Sequence, residues 1–331
     1  MRYVGSKAST IPALRQLILD RVSSGSFGDP FGGIASVASE FKRLGFEVHT
    51  GDILRIAHCF QVAKVVLNEP PPPPPALAAT LGIRTTQEMV ARVSQSRPVH
   101  SWVYREFSLR RSYFTPNNAA SIDGARRTLD RWRRARLTDC TTDLYLRACL
   151  IDAVDRVANT AGTYYAHLKH WTRKSLKPFY FRAILPVAGN TSCTAIQAEA
   201  EDLVKARHYD VQYLDPPYNS RDYAGYYHLP ETLATGRRPR PRGLSGIDGA
   251  PRPHSAFNRP RAAEAAMDNL VSAARCDLMV VHYSDFGLII PDRMRAILRS
   301  FGRVSEHTIQ ALGYGTSSPR ITPHRVYLIE Q

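Results

Sequence analysis

Asp215-Pro216-Pro217-Tyr218 follows the apolar run Tyr209–Leu214 and joins three features that chemistry at the exocyclic amine of a nucleobase requires. The Asp215 carboxylate and the Pro216 carbonyl can each accept one N–H of such an amine. The paired prolines, Pro216 and Pro217, remove local donors and fix the turn. Tyr218 offers a ring face on which a base lifted out of its stack can rest. The plain alternative is a strand-ending turn with no chemical role.

A second turn, Phe27-Gly28-Asp29-Pro30-Phe31-Gly32-Gly33, also ends an apolar run with an acid. In open α/β sheets, ligands bind outside the carboxyl ends of the strands. Gly32 and Gly33 let backbone approach a ligand closely. Asp52 lies 23 residues beyond Asp29, at the end of the next predicted strand. An acid at that place accepts hydrogen bonds from ribose hydroxyls. The pattern suits a nucleoside-bearing cofactor, without the GxGxxG of a dinucleotide enzyme.

Such turns need strands and helices to aim them. Residues 8–22 show a helical period through Ile11, Leu14, Leu17 and Ile18. A strand from Phe27, a helix over 34–44 stopped by Gly45, and a strand over 46–50 form one strand–turn–helix–strand unit of a parallel sheet. Pro70–Pro75 predicts a stiff polyproline segment at the surface. Helical patterns dominate 85–175. Strands are predicted at 179–185, 209–214 and 278–283, with helices over 261–274 and 293–299. Residues 304–310 and 325–329 read as a closing antiparallel pair. Residues 236–261 hold seven Arg against one Asp without apolar periodicity, which predicts a mobile loop.

The 331-residue chain is 44% hydrophobic, enough for one catalytic domain and a smaller lobe. It lacks an apolar run long enough to span a membrane, and its first residues lack a signal-peptide core, which predicts a cytoplasmic protein with no membrane partner. Its five cysteines form no CxxC pair and have no His at zinc spacing, so neither a structural zinc nor a disulfide framework is expected, and no metal is predicted. The formal charge of +15, from 44 basic and 29 acidic residues, points to a polyanion such as nucleic acid.

Taken in order, four segments make the sequence similar to the D12 class of N6-adenine DNA methyltransferases, the Dam-like alpha group. They are Arg2-Tyr3-Val4-Gly5-Ser6-Lys7, the turn at 27–33, Gly51-Asp52-Ile53, and Asp215–Tyr218. Further segments resemble a restriction–modification branch: Asn219–Tyr223, Tyr227–Leu233, Arg111–Thr115 and Asn159–Tyr164. Asp222 and Pro230 depart from that branch, which more often has Gln and Leu there. The polyproline run is peculiar to this chain.

The resemblance implies a Rossmann-like methyltransferase fold, mostly parallel, with an antiparallel closing strand and a mainly helical target-recognition lobe. It assigns 1–60 and 179–331 to the catalytic domain and 61–178 to that lobe. It implies transfer of the S-adenosylmethionine methyl group to an adenine flipped from double-stranded DNA. Tyr3, Lys7, Asp29, Pro30, Phe31, Gly32, Gly33, Asp52 and Asp215 would hold the cofactor, and Asp215, Pro216, Pro217 and Tyr218 would be catalytic. A companion restriction endonuclease is the expected partner. For DNA contact, Arg221, Tyr223 and His228 follow the catalytic turn, although a structural role for His228 is equally open. Arg126 and Arg127 lie in an Arg-rich helix, and Arg237, Arg238, Arg240 and Arg242 in the Arg-rich loop. The alternatives are an RNA adenine-N6 methyltransferase, disfavoured by the long interval 53–205, and an inactive DNA-binding protein, disfavoured by intact Lys7, Asp29, Asp52 and Asp215. Methylation of cytosine N4 or protein glutamine would favour Ser or Asn at 215.

Overall fold

A computed structural model describes Lys7, residues 9–314 and residues 319–330. The chain divides into two compact units. Among the described residues, one takes in those of 5–61, 187–223 and 253–331, and the other takes in Val62–Pro186 and Ala224–Arg252.

The first unit is a seven-stranded sheet. Its strands are β1 (Ser26–Asp29), β2 (Glu47–Asp52), β3 (Thr194–Gln197), β4 (Tyr209–Leu214), β5 (Cys276–Ser284), β6 (Arg303–Tyr314) and β7 (Pro319–Glu330), in the order β3-β2-β1-β4-β5-β7-β6. β3, β2, β1, β4 and β5 pair in parallel, while β7 is antiparallel to both neighbours. The expected mostly parallel sheet with an antiparallel closing strand is therefore found. The order runs one way from β1 and the other way from β4. The two form the switch point at which open α/β sheets bind ligands. Their register, Phe27 opposite Val211 and Gly28 opposite Gln212, brings Asp29 and the turn after Leu214 to the same edge.

Burial on both faces sets these central strands. All four residues of β1 are buried, and so are Val211–Leu214 of β4. That is the signature of a parallel sheet covered on both sides. Phe27 stacks on Phe41 of helix Ser36–Arg43, with ring centroids 4.1 Å apart. Across the sheet, Met267, Leu270 and Val271 of helix Ala263–Ala273 join Met279 and Val281 in one apolar cluster.

The second unit is mainly helical. Thr115 caps helix Pro116–Arg134 by accepting from the Asn118 N–H, and Asp139 caps helix Cys140–Asp155 by accepting from that of Thr142. Residues 142–155 are all buried, so this helix must satisfy its charges internally. Arg147 does so by donating to Asp143 (2.8 Å), Asp130 (3.2 Å) and the Leu233 carbonyl (2.9 Å). Of the polyproline run, Pro71 and Pro73 are buried and Pro75 opens helix Pro75–Leu81. Proline fits a first helical turn, where its missing N–H costs nothing.

Two expectations differ from the structure. Residues 179–185 form no strand; the segment 165–186 is irregular, and the sheet takes β3 from Thr194–Gln197 instead. Within 179–185 Phe181 is buried while Tyr180 and Leu185 are exposed, so the apolar character of the segment does not mark a sheet face. The Arg-rich segment is divided between the units and docked within each. In the helical unit, Trp102 Nε1 donates to the Pro239 carbonyl (2.9 Å) and the Tyr113 hydroxyl to that of Ser245 (2.9 Å). The Arg111 guanidinium donates to the Gly243 carbonyl. In the sheet unit, Ala256–Asn258 makes a single helical turn with Phe257 buried. Backbone carbonyls, which composition does not reveal, fasten this polar segment.

Candidate active site

Asp29 and Asp215 end the neighbouring strands β1 and β4. Lys7 Nζ sits 2.6 Å from Asp215 Oδ2, and both side chains are largely buried, at 7% and 13% exposure. The Lys7 carbonyl accepts from the Thr10 hydroxyl and from the N–H groups of Thr10 and Ile11, which anchors the lysine at the start of helix Ile11–Leu19. Burial raises the Asp215 pKa, and the neighbouring ammonium opposes that rise. Asp29 is pushed well above the usual carboxylate range, by burial first and then by Asp215 and Asp52. Its Oδ1 is buried without a hydrogen-bond partner among the described residues. A buried acceptor left open in this way fits a donor-bearing ligand.

The Gly-rich turn is tied to β2. Asp52 accepts from the Gly33 N–H (3.1 Å) and the Leu54 N–H (2.9 Å), and the Gly32 N–H donates to the Gly51 carbonyl (2.9 Å). Gly33 has φ +48°, and a Cβ at Gly32 would collide with Thr50 Oγ1 and come within 2.9 Å of Gln61 Nε2. Both glycines are thus required by the path of the turn. Phe31 meets Phe257 edge-on at 5.2 Å.

The catalytic turn is braced from β5 and β7. The Leu288 N–H donates to the Tyr218 carbonyl (2.8 Å). The half-buried Tyr218 ring lies edge-to-face against Tyr283 (6.2 Å) and His324 (5.7 Å). Behind it, Tyr213 Oη meets His282 Nδ1 and His282 Nε2 meets His324 Nδ1, each at 3.0 Å. Burial lowers the pKa of both imidazoles, that of His324 to about 4. Sequence reasoning missed these two histidines and Phe257. The signals were a polar residue within the apolar run of β5 and a lone aromatic in the Arg-rich stretch. Asp285, just past the end of β5, pairs with Arg325 at 2.6 Å.

Lys7, Asp29, Gly32, Gly33, Asp52, Asp215 and Tyr218 thus lie along the carboxyl edge of β1, β2 and β4, with Pro30, Phe31, Pro216 and Pro217 in the same turns. Tyr3 lies outside the described residues. A family model described as D12 class N6 adenine-specific DNA methyltransferase matches residues 3–297. The chain belongs to this family. It is similar to the type II methyltransferase M.FokI of Planomicrobium okeanokoites, 28% identical over 332 residues, covering 95% of this chain and 49% of that protein. The modification methylase StsI of Streptococcus sanguinis is 28% identical over 304 residues, covering 91% and 46%. The type II methyltransferase M.NlaIII of Neisseria lactamica is 29% identical over 311 residues, covering 92% and 89%. The chain therefore spans about half the length of the first two and most of the third.

Within this D12 chain, two expected DNA contacts are corrected. Arg126 is fully buried, 5.4 Å over the Trp102 ring and 3.7 Å from Asp123. His228 is 7% exposed, with Nε2 on the Tyr164 carbonyl at 2.8 Å. Neither presents surface to a phosphate: His228 is tied to Tyr164 within the helical unit, and Arg126 is enclosed there with none of its guanidinium nitrogens hydrogen-bonded among the described residues. Helical periodicity placed Arg126 on the inner face, and its charge concealed that. Arg127, Arg221, Arg237, Arg238, Arg240 and Arg242 are exposed and Tyr223 half-exposed. Arg238 lies 3.9 Å from Asp130. Among the described residues, no group of His, Cys, Asp and Glu is arranged to hold a metal, and no helix is long and apolar enough to cross a membrane.

Proposed function

We propose that this protein is a site-specific DNA adenine-N6 methyltransferase acting on double-stranded DNA in the cytoplasm, paired with a companion restriction endonuclease. The reading rests on one observation above all. Two buried carboxylates end the switch-point strands, one of them on Lys7, in a chain of the D12 family.

The residues fit S-adenosylmethionine, which supplies an electrophilic methyl group when bound. The open acceptor of Asp29, the glycine turn and Asp52 would hold its polar groups, with Lys7 beside them; the family resemblance adds Tyr3 to the same set. Asp215 and the Pro216 carbonyl accept the two N–H bonds of an extrahelical adenine, keeping its nitrogen lone pair aimed for attack. Tyr218, fixed edge-on by Tyr283 and His324, presents a ring face to that base. Lys7 opposes the rise in pKa that burial imposes on Asp215 and so favours the carboxylate, the acceptor form. Positioning supplies much of the rate. Arg127, Arg221, Tyr223, Arg237, Arg238, Arg240 and Arg242 serve DNA contact, and the helical unit serves target recognition.

Transfer of labelled methyl groups from S-adenosylmethionine to duplex DNA, followed by nucleoside analysis, tests this reading. The expected product is N6-methyladenine, lost in Asp215→Ala while calorimetry still shows cofactor binding. Transfer by Asp215→Ala at the parent rate would overturn the assignment.

A further inference from the structure

We infer that residues 165–180 form a second nucleic-acid surface, a strip that grips duplex DNA by its phosphates and places an aromatic ring against it. The inference rests on the proposed action on DNA and adds a contact surface to it. Residues 162–186 contain no acid, yet three of the chain's seven lysines lie between 169 and 177. Lys169, Arg173 and Lys177 are exposed and make no ion pair among the described residues. Interleaved with them, Tyr165, Trp171 and Tyr180 are 54%, 43% and 66% exposed.

Exposure of this kind in a long irregular segment would ordinarily suggest disorder or function. Here two buried asparagines fix the backbone. Asn118 donates to the carbonyls of Ser175 (3.2 Å) and Lys177 (2.9 Å) and accepts from the Phe179 N–H (2.8 Å). Asn159 donates to the Leu168 carbonyl (3.0 Å) and accepts from the Thr172 N–H (3.2 Å). Further along, the Tyr145 hydroxyl donates to the Ile184 carbonyl (2.8 Å). A chain that fixes its backbone this firmly while leaving rings and cations outward has a surface shaped in advance. Its chemistry selects the occupant. Unpaired cations among exposed rings match a phosphate backbone with sugars and base edges, and they do not match an acidic-poor apolar protein surface.

Trp171 makes the strip directly observable, because Trp102 and Trp132 are 6% and 2% exposed. Acrylamide quenching of the full-length protein is measured with and without a duplex, beside salt titrations of duplex affinity. Quenching of Trp171 should fall when duplex is added, and Trp171→Phe should remove the change. Lys169→Ala, Arg173→Ala and Lys177→Ala should each shallow the slope of log affinity against log salt by about 0.9. Quenching and slopes that do not move, in a protein that methylates duplex DNA, overturn the strip and leave the enzyme reading standing. Protection by single-stranded RNA but not by duplex also overturns it. A parent protein that transfers no methyl group to duplex DNA removes the enzyme reading itself. Circular dichroism of each variant confirms that folding is intact.

Discussion

At the scale of single residues, the site is a problem in holding negative charge. Burial raises the Asp29 pKa, Asp215 and Asp52 add to that rise, and Lys7 opposes the effect of burial at Asp215. Lys7→Met should therefore raise the Asp215 pKa further, and methyl transfer should fall at neutral pH and recover as pH rises. A pH–rate profile that does not shift alkaline would remove Lys7 from this role. Tyr218 poses the opposite problem, a half-buried ring kept in place by edge-to-face contacts with Tyr283 and His324 and by packing on the apolar core. Tyr218→Ala should weaken retention of an extrahelical base by about 1–3 kcal/mol, read from 2-aminopurine fluorescence at the target position. Tyr218→Phe should retain most of it, because the face does the stacking; equal losses in both would mean that the hydroxyl is what matters.

Elements decide whether those residues meet. Helix Cys140–Asp155 is buried nearly all round, so its Arg147 must be fully paired. Arg147→Met leaves Asp130 and Asp143 buried without their common partner, and a loss of about 3–5 kcal/mol is expected in urea unfolding. A loss below about 1 kcal/mol, the size of a surface pair, would mean the network carries little. The sheet was the most legible part of the sequence. Period, turn chemistry and acids at strand ends located β1, β2, β4, β5 and the β6–β7 pair, because each is set by its own local pattern. What was not legible came from partners distant in sequence. The Arg-rich segment is held by carbonyl acceptors, and residues 165–186 by Asn118 and Asn159, neither of which leaves a local signature. Arg126 read as a DNA contact because charge was weighed above helical face. The pairing of Lys7 with Asp215 spans most of the chain, and only the order of motifs hinted at it.

Over the whole molecule, acid should act on both units through buried histidines. His228 lies in the helical unit beside the Tyr164 carbonyl, with Arg111, Arg252 and Asp248 near it; His324 lies in the sheet unit beside His282, Lys7 and Asp285. Burial pushes each pKa from 6.5 down to about 4. Both rings are neutral in the folded chain, whereas the unfolded chain takes up a proton below about pH 6.5. The unfolded state thus binds more protons between about pH 6.5 and 4, and stability falls as pH drops through that window. The full effect is about 3 kcal/mol per ring by pH 4. Asp29 and Asp215 act in the other direction, since their raised pKa values make protonation favour the fold. The net slope is therefore a difference, and single variants are needed to separate its parts. His228→Gln keeps a nitrogen donor for the Tyr164 carbonyl but cannot titrate. Urea midpoints at pH 7 and pH 5 should fall less for this variant than for the parent, by about 2 kcal/mol in unfolding free energy. A probe within the helical unit should register that difference, and one in the sheet unit should not. Equal acid losses in parent and variant would show that His228 is already solvated and protonated in the folded chain.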